Sequence, residues 1–161
     1  MRGLGPYRAR WVRFHSLPES KQYAGTPEEY EEVFHRHRSV LQALREDGPQ
    51  TPLTVIAEDW DWHDYAGGWV KNVLPQAWPW RVYRAGPKEA AGYQWVARFE
   101  SIEEMRPLLL AIADDVGRAW IIDDSSDWLY HPYDGGADVI VLTTEGRDAL
   151  ANRFASWVAP E

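Results

Sequence analysis

Residues 128–142 read WLYHPYDGGADVIVL, two β-like runs on either side of a turn. The runs are rich in aromatic and β-branched side chains, and an Asp-Gly step between such runs is a strong hairpin signal. We expect Gly135 or Gly136 to adopt a positive φ, and Asp134 to hydrogen-bond the turn's own backbone. A hairpin here favours antiparallel pairing over a parallel arrangement.

Five other segments show the alternation or the apolar runs of strands. They cover residues 10–15, 53–58, 80–84, 93–99 and 119–122. Residues 61–77 contain Gly67, Gly68 and Pro75, and they predict a long irregular excursion instead.

Three segments begin with side chains that cap helices. The first starts at Thr26, which is followed by a proline and then by a glutamate in capping-box spacing. The second has a Ser-x-x-Glu box at residues 101–104, and we expect Pro107 to kink this helix or to shift its start. Thr143 or Thr144 can cap the last helix.

The order of these elements is β-α-β-β-β-α-β-β-β-α, without the regular alternation of a parallel sheet. We therefore predict a single α+β domain over residues 1–161, with residues 1–9 flexible. Its sheet is mixed but largely antiparallel and is packed by about three helices.

The composition is that of a globular protein, with 45% hydrophobic and 26% charged residues. Cysteine is absent, which excludes disulfides and thiolate chemistry. No apolar run approaches the roughly 18 residues of a membrane span, and no signal-peptide core follows Met1. We expect a cytoplasmic protein that does not bind membranes.

The formal net charge is −8, and residues 51–161 carry nine basic and eighteen acidic side chains. This balance disfavours nucleic acid as a partner, because binding phosphates needs a basic surface. It favours a basic protein partner, although solubility alone can also explain it.

Ten tryptophans occur in the chain, six of them between residues 60 and 95. Four lie on apolar periodicities and are predicted to be core residues: Trp11, Trp95, Trp120 and Trp157. The remainder of the aromatic segment either buries its own rings or exposes them for stacking or protein contact.

Within that segment, residues 59–64 read DWDWHD. In an extended chain Asp59, Asp61 and His63 would share one face, which would suit a metal site able to activate water. No second ligand motif accompanies them, so we predict neither a metal nor a cofactor. The predicted binding residues are Asp59, Trp60, Asp61, Trp62, His63, Asp64 and Trp69.

Two further groups resemble acid–base or nucleophilic sets: His15 with Ser16 and Glu19, and His131 with nearby aspartates. The G-x-S-x-G pattern is missing, so we favour structural roles, with Ser16 capping its own turn.

Residues 11–23 (WVRFHSLPESKQY) and 130–140 (YHPYDGGADVI) together resemble an uncharacterised bacterial family, a domain of unknown function. The resemblance covers most of the chain, and residues 59–80 match it least well. It implies a single compact domain and no particular activity.

The leading hypothesis is a non-enzymatic protein-binding module, such as an immunity-type inhibitor of a basic toxin or enzyme. The alternative is a small-ligand protein, for a sugar or nucleotide, or a metal-assisted hydrolase using residues 59–64.

Overall fold

The computed structural model describes residues 5–46, 48, 50–61, 68–84, 91–125 and 127–159. Seven strands form one sheet: β1 (Trp11–His15), β2 (Leu53–Asp61), β3 (Trp78–Tyr83), β4 (Ala91–Phe99), β5 (Arg118–Asp123), β6 (Trp128–Tyr133) and β7 (Gly136–Val141). The helices are α1 (Pro27–Arg45), α2 (Trp69–Val73), α3 (Arg106–Ala113) and α4 (Thr144–Arg153).

The strand order across the sheet is β1-β7-β6-β5-β2-β4-β3, and every neighbouring pair is antiparallel. The predicted α+β fold with a largely antiparallel sheet is therefore confirmed. The prediction of one irregular excursion over residues 61–77 is wrong, because α2 forms within it. Residues 62–67 lie outside the described residues.

The predicted caps hold the helix starts. The Thr26 hydroxyl accepts from the Glu29 amide at 3.3 Å, and the Thr143 hydroxyl accepts from the Gly146 amide at 3.0 Å. Pro107 lies in the first turn of α3, which follows a short 3-10 turn at Glu103–Met105. Of the two outcomes expected for Pro107, the structure shows the shifted helix start. Proline lacks the N–H that a position further inside the helix would donate, so it is tolerated in the first turn.

The core lies on one face of the sheet, here called the helix face. All four helices contribute buried side chains to it. Every strand except β3 contributes alternate residues. Helix contributions include Phe34, Leu41, Val70, Leu109, Ile112 and Leu150. Alternation along a strand sends the intervening residues to the opposite face.

The tryptophans divide differently from the prediction. Trp95 is buried in the core as expected, and Trp128 joins it at 6% exposure. Trp157 is half-buried and stacks on Phe154. Trp11 and Trp120 lie on the face opposite the helices, so assigning them to the core is wrong: their apolar periodicity reflects an apolar second face.

The hairpin between β6 and β7 is confirmed. Tyr133 pairs with Gly136, which leaves a two-residue turn in which Gly135 has a φ of 109°. The expected role of Asp134 is wrong. Its carboxylate accepts from the Tyr23 hydroxyl at 2.9 Å and from the Gln22 amide, because the chain after β1 lies against this turn.

Candidate functional site

The face of the sheet opposite the helices is the largest feature that the core does not use. Strand register and alternation place these residues on it, and we call it the open face: Trp11, Arg13, His15, Thr54, Ile56, Glu58, Trp60, Trp78, Arg81, Tyr83, Gly92, Gln94, Val96, Arg98, Arg118, Trp120, Ile122, Leu129, His131, Tyr133, Gly136, Asp138 and Ile140. Apart from its two glycines, these residues are half-buried or exposed. The described part of the chain places no helix over them.

At one end of the open face the charged groups pair with one another. The Arg13 guanidinium donates to both oxygens of Asp138, at 2.8 and 2.9 Å, and lies between the rings of Trp11 and Tyr133. The Asp138 carboxylate raises the pKa of Arg13, and burial raises the pKa of Tyr133 to about 12. The charges at this end satisfy one another and offer little to an incoming charged group.

The other end of the open face exposes large rings. We call this region, formed by Trp60, Trp78, Arg81 and Tyr83 with the neighbouring Trp80 of β3, the tryptophan corner. The exposed fractions of the three tryptophans are 42%, 47% and 57% in sequence order. The strand register shifts between Pro79 and Arg81, so Trp80 is the extra residue of a β-bulge. Bulges re-aim a side chain and often lie beside functional sites.

A carboxylate organises the floor of the tryptophan corner. Glu58 accepts from the Tyr83 hydroxyl at 3.1 Å and from the Gln94 side-chain amide at 3.3 Å. Burial, together with Glu58, raises the pKa of Tyr83, which keeps its phenol protonated as the donor. Tyr83 lies directly over Gly92, where a Cβ would come within 2.5 Å of the ring. Trp60 packs against Tyr83 in a T-shaped arrangement, with ring centroids 5.6 Å apart.

The three predicted binding residues that the structure describes in full, Asp59, Trp60 and Trp69, do not share one surface. Trp60 lies exposed on the open face, whereas Asp59 is 7% exposed on the helix face, where its carboxylate accepts from the Trp60 amide at 2.9 Å. Trp69 is half-buried, and its indole N–H donates to the Glu58 carbonyl at 2.8 Å. These contacts favour structural roles for Asp59 and Trp69, because both residues are already bound within the fold.

The remaining predicted residues cannot be placed in the same way. Trp62, His63, Asp64 and the side chain of Asp61 lie outside the described residues. Among the residues that are described, no group of three or more histidine, aspartate or glutamate side chains could hold a metal. Of the three ligands in the metal hypothesis, His63 and the side chain of Asp61 lie outside the described residues, and the hypothesis stays an alternative.

A buried polar chain was missed by the sequence analysis. The Ser16 hydroxyl lies 3.2 Å from Nε2 of His37, and Nδ1 of His37 lies 2.6 Å from the Tyr130 hydroxyl. Ser16 therefore contacts α1 instead of capping its own turn. Each of the three residues is at most 2% exposed, which leaves a substrate no access, so the chain braces β1, α1 and β6. A histidine within the apolar stripe of α1 was the available signal.

A polar cleft of about 370 Å³ borders the turn at Gly135. His15 and Ser20 line it, with Nε2 and Oγ 3.1 Å apart. The charged residues that line it are already engaged within the chain, Arg13 with Asp138 and Asp134 with Tyr23. A charged ligand would have to displace these contacts, which makes this cleft a weaker candidate than the tryptophan corner.

None of the helices within the described ranges is both long enough and apolar enough to cross a membrane. No curated protein and no solved structure matches the chain. A family model described as a domain of unknown function, DUF3885, matches residues 4–160, which include both segments that carried the resemblance. The chain therefore belongs to the DUF3885 family.

Proposed function

We propose that this protein is a non-enzymatic protein-binding module that contacts its partner through the open face, with the tryptophan corner at the centre. The observation that carries the proposal is the exposure of Trp60, Trp78 and Trp80 together at one end of a sheet face over which no described helix lies. Antiparallel sheets that face water on one side usually present polar residues there. This face presents large rings and aliphatic side chains between its polar residues.

Aliphatic residues extend this apolar surface across the sheet. Ile56, Val96 and Ile122 continue it from the tryptophan corner, and Leu129 and Ile140 reach its far end. Contiguous exposed apolar surface on a protein marks an interaction site more often than scattered apolar residues do. Tryptophan, tyrosine and arginine are also the residues that most often dominate the binding energy of protein interfaces.

An immunity-type inhibitor, which neutralises another protein by covering its active surface, is one form that such a module takes. It needs no catalytic group of its own, and the buried Ser16–His37–Tyr130 chain supports no reaction with an outside substrate because it is closed to solvent.

A sugar is the second candidate ligand, and one observation favours it. Trp60 and Tyr83 present ring surface beside the polar groups of Glu58 and Gln94, and sugars bind through such a mixture of stacking and hydrogen bonds. Titration of common mono- and oligosaccharides while following tryptophan fluorescence tests this candidate. A saturable change that Trp60→Ala abolishes would support a sugar site over a protein interface.

Replacing Trp78 or Trp80 by alanine is expected to weaken partner binding by roughly thirtyfold, the effect of losing one central interface tryptophan. The measurement is quantitative co-purification from the native host with tagged protein. Val116→Ala is the matched control, because Val116 is 49% exposed in the loop between α3 and β5. Equal recovery of the partner by the tryptophan variants and by the control would contradict the proposal.

A further inference from the structure

The charge of the open face differs in sign from that of the whole chain. Among the described residues it carries four arginines (Arg13, Arg81, Arg98 and Arg118) and two carboxylates (Glu58 and Asp138). With the carboxylate of Asp124, which pairs with Arg98 beside the face, the local net charge is +1. The formal net charge of the chain is −8. The acidic excess therefore lies elsewhere, and four glutamates fall in the first two turns of α1 alone.

Among the described residues, the positive charge that ion pairs do not neutralise lies at and beside the tryptophan corner. Arg13 is paired with Asp138, and Arg98 donates to both oxygens of Asp124. Arg81 is exposed and forms no hydrogen bond or ion pair with a described residue. The side chain of Arg118 is 63% exposed and lies 4.0 Å from Glu58, whose carboxylate is shared with Tyr83 and Gln94.

The two edges of the sheet differ in how they are protected from other chains. Beside β1, the Ala159 amide donates to the Arg13 carbonyl, and Val158 forms a bridge with Phe14. At the opposite edge, β3 carries Pro79 and the bulge at Trp80. A proline and a bulge both interrupt the regular row of donors and acceptors that an added strand needs. A partner is thus directed over the face and not onto the edge.

We propose that the surface bound by the open face is acidic around an apolar centre, and that it docks by side-chain contacts and not by extending the sheet at β3. This inference rests on the proposed function and specifies the partner. The partner's carboxylates pair with Arg81 and Arg118, and the partner's apolar groups cover Trp78 and Trp80. A basic partner, favoured by the net charge of the whole chain, would meet like charge at this surface.

The probes are two peptides with the same Leu-Trp-Leu centre, one flanked by glutamates and the other by lysines. Each is titrated into ¹⁵N-labelled full-length protein while backbone and indole amide signals are followed. We expect the glutamate peptide to shift signals of Trp78, Arg81 and Gln94, and the lysine peptide to leave these signals in place. Arg81→Gln is expected to lower the affinity for the glutamate peptide about fivefold, which is the scale of one exposed ion pair.

Arg8→Gln is the matched control, because Arg8 is exposed in the turn before β1 and lies outside the open face. It should bind the glutamate peptide as the parent protein does. Three results would overturn the inference: tighter binding of the lysine peptide at the open face, shifts by the glutamate peptide confined to the helices, or no shifts from either peptide at millimolar concentration. If partner recovery still depends on Trp78 and Trp80 in any of these cases, the proposed function stands and only the acidic partner is rejected.

Discussion

Gly136→Ala is expected to destabilise the protein by about 3 kcal/mol, the upper range for forcing extra volume into a packed site. A Cβ at this position would lie 2.1 Å from the Phe14 carbonyl oxygen and 2.9 Å from the Tyr133 hydroxyl. The tyrosine can move, but the carbonyl belongs to the backbone of β1, where His15 pairs with Gly136. Relief of the clash therefore requires the β1–β7 pairing to shift.

The neighbouring glycine provides the control for this prediction. Gly135 has a φ of 109°, and its nearest contact for a Cβ is a flexible Gln22 side-chain carbon at 3.4 Å. Gly135→Ala should therefore carry only the conformational cost of about 1–2 kcal/mol. Urea unfolding at neutral pH compares the two variants. A Gly136→Ala protein that is no less stable than Gly135→Ala would contradict the close approach of β1 to this turn.

Acidification is expected to remove about 3 kcal/mol of stability through His37 alone. Burial lowers the pKa of His37 from 6.5 to about 4 in the folded protein. The unfolded chain therefore binds a proton at higher pH than the folded one does. The contribution of neutral His37 is complete above pH 6.5, declines as the pH falls, and is lost once the pH passes below about 4.

His37→Gln removes this titration and retains hydrogen-bonding groups near Ser16 and Tyr130. The free energy of unfolding should be measured by urea between neutral pH and pH 4 for both proteins, because subtraction cancels the carboxylates that titrate in the same range. His35→Gln, on the exposed side of the same helix, is the matched histidine-to-glutamine control. An identical slope in the parent and in His37→Gln would contradict the buried, neutral imidazole.

The elements predicted well from the sequence are those fixed by local chemistry. Thr26 and Thr143 cap their helices because the hydroxyl of each can accept from the backbone amide three residues later. This bond is local and does not depend on tertiary contacts. The β6–β7 hairpin formed for a similar reason, since Gly135 tolerates a positive φ. The role of Asp134 was mispredicted because its partners, Gln22 and Tyr23, are more than a hundred residues away in sequence.

The candidate site was only partly predictable, because it depends on contacts between residues that lie far apart in the sequence. Sequence alternation divides a strand into two faces, but it does not reveal which face the helices cover, so Trp11 and Trp120 were assigned to the core. Trp60 was among the predicted binding residues, whereas Arg81 and Arg118 joined the candidate site only once β3, β4, β2 and β5 were placed side by side. The net charge of the chain also concealed the local positive charge of the open face.

The most direct test of the open face as the binding surface is site-specific photo-crosslinking in the native host. A photoreactive benzoyl-phenylalanine replaces Val96, which pairs with Trp78 on the open face, or Asn152, which is exposed on α4. After irradiation, we expect a discrete protein adduct from position 96 and none from position 152, with the adduct lost when Trp78→Ala is added. An adduct from position 152 alone, or none from position 96 in the folded protein, would contradict the open face as the site of binding.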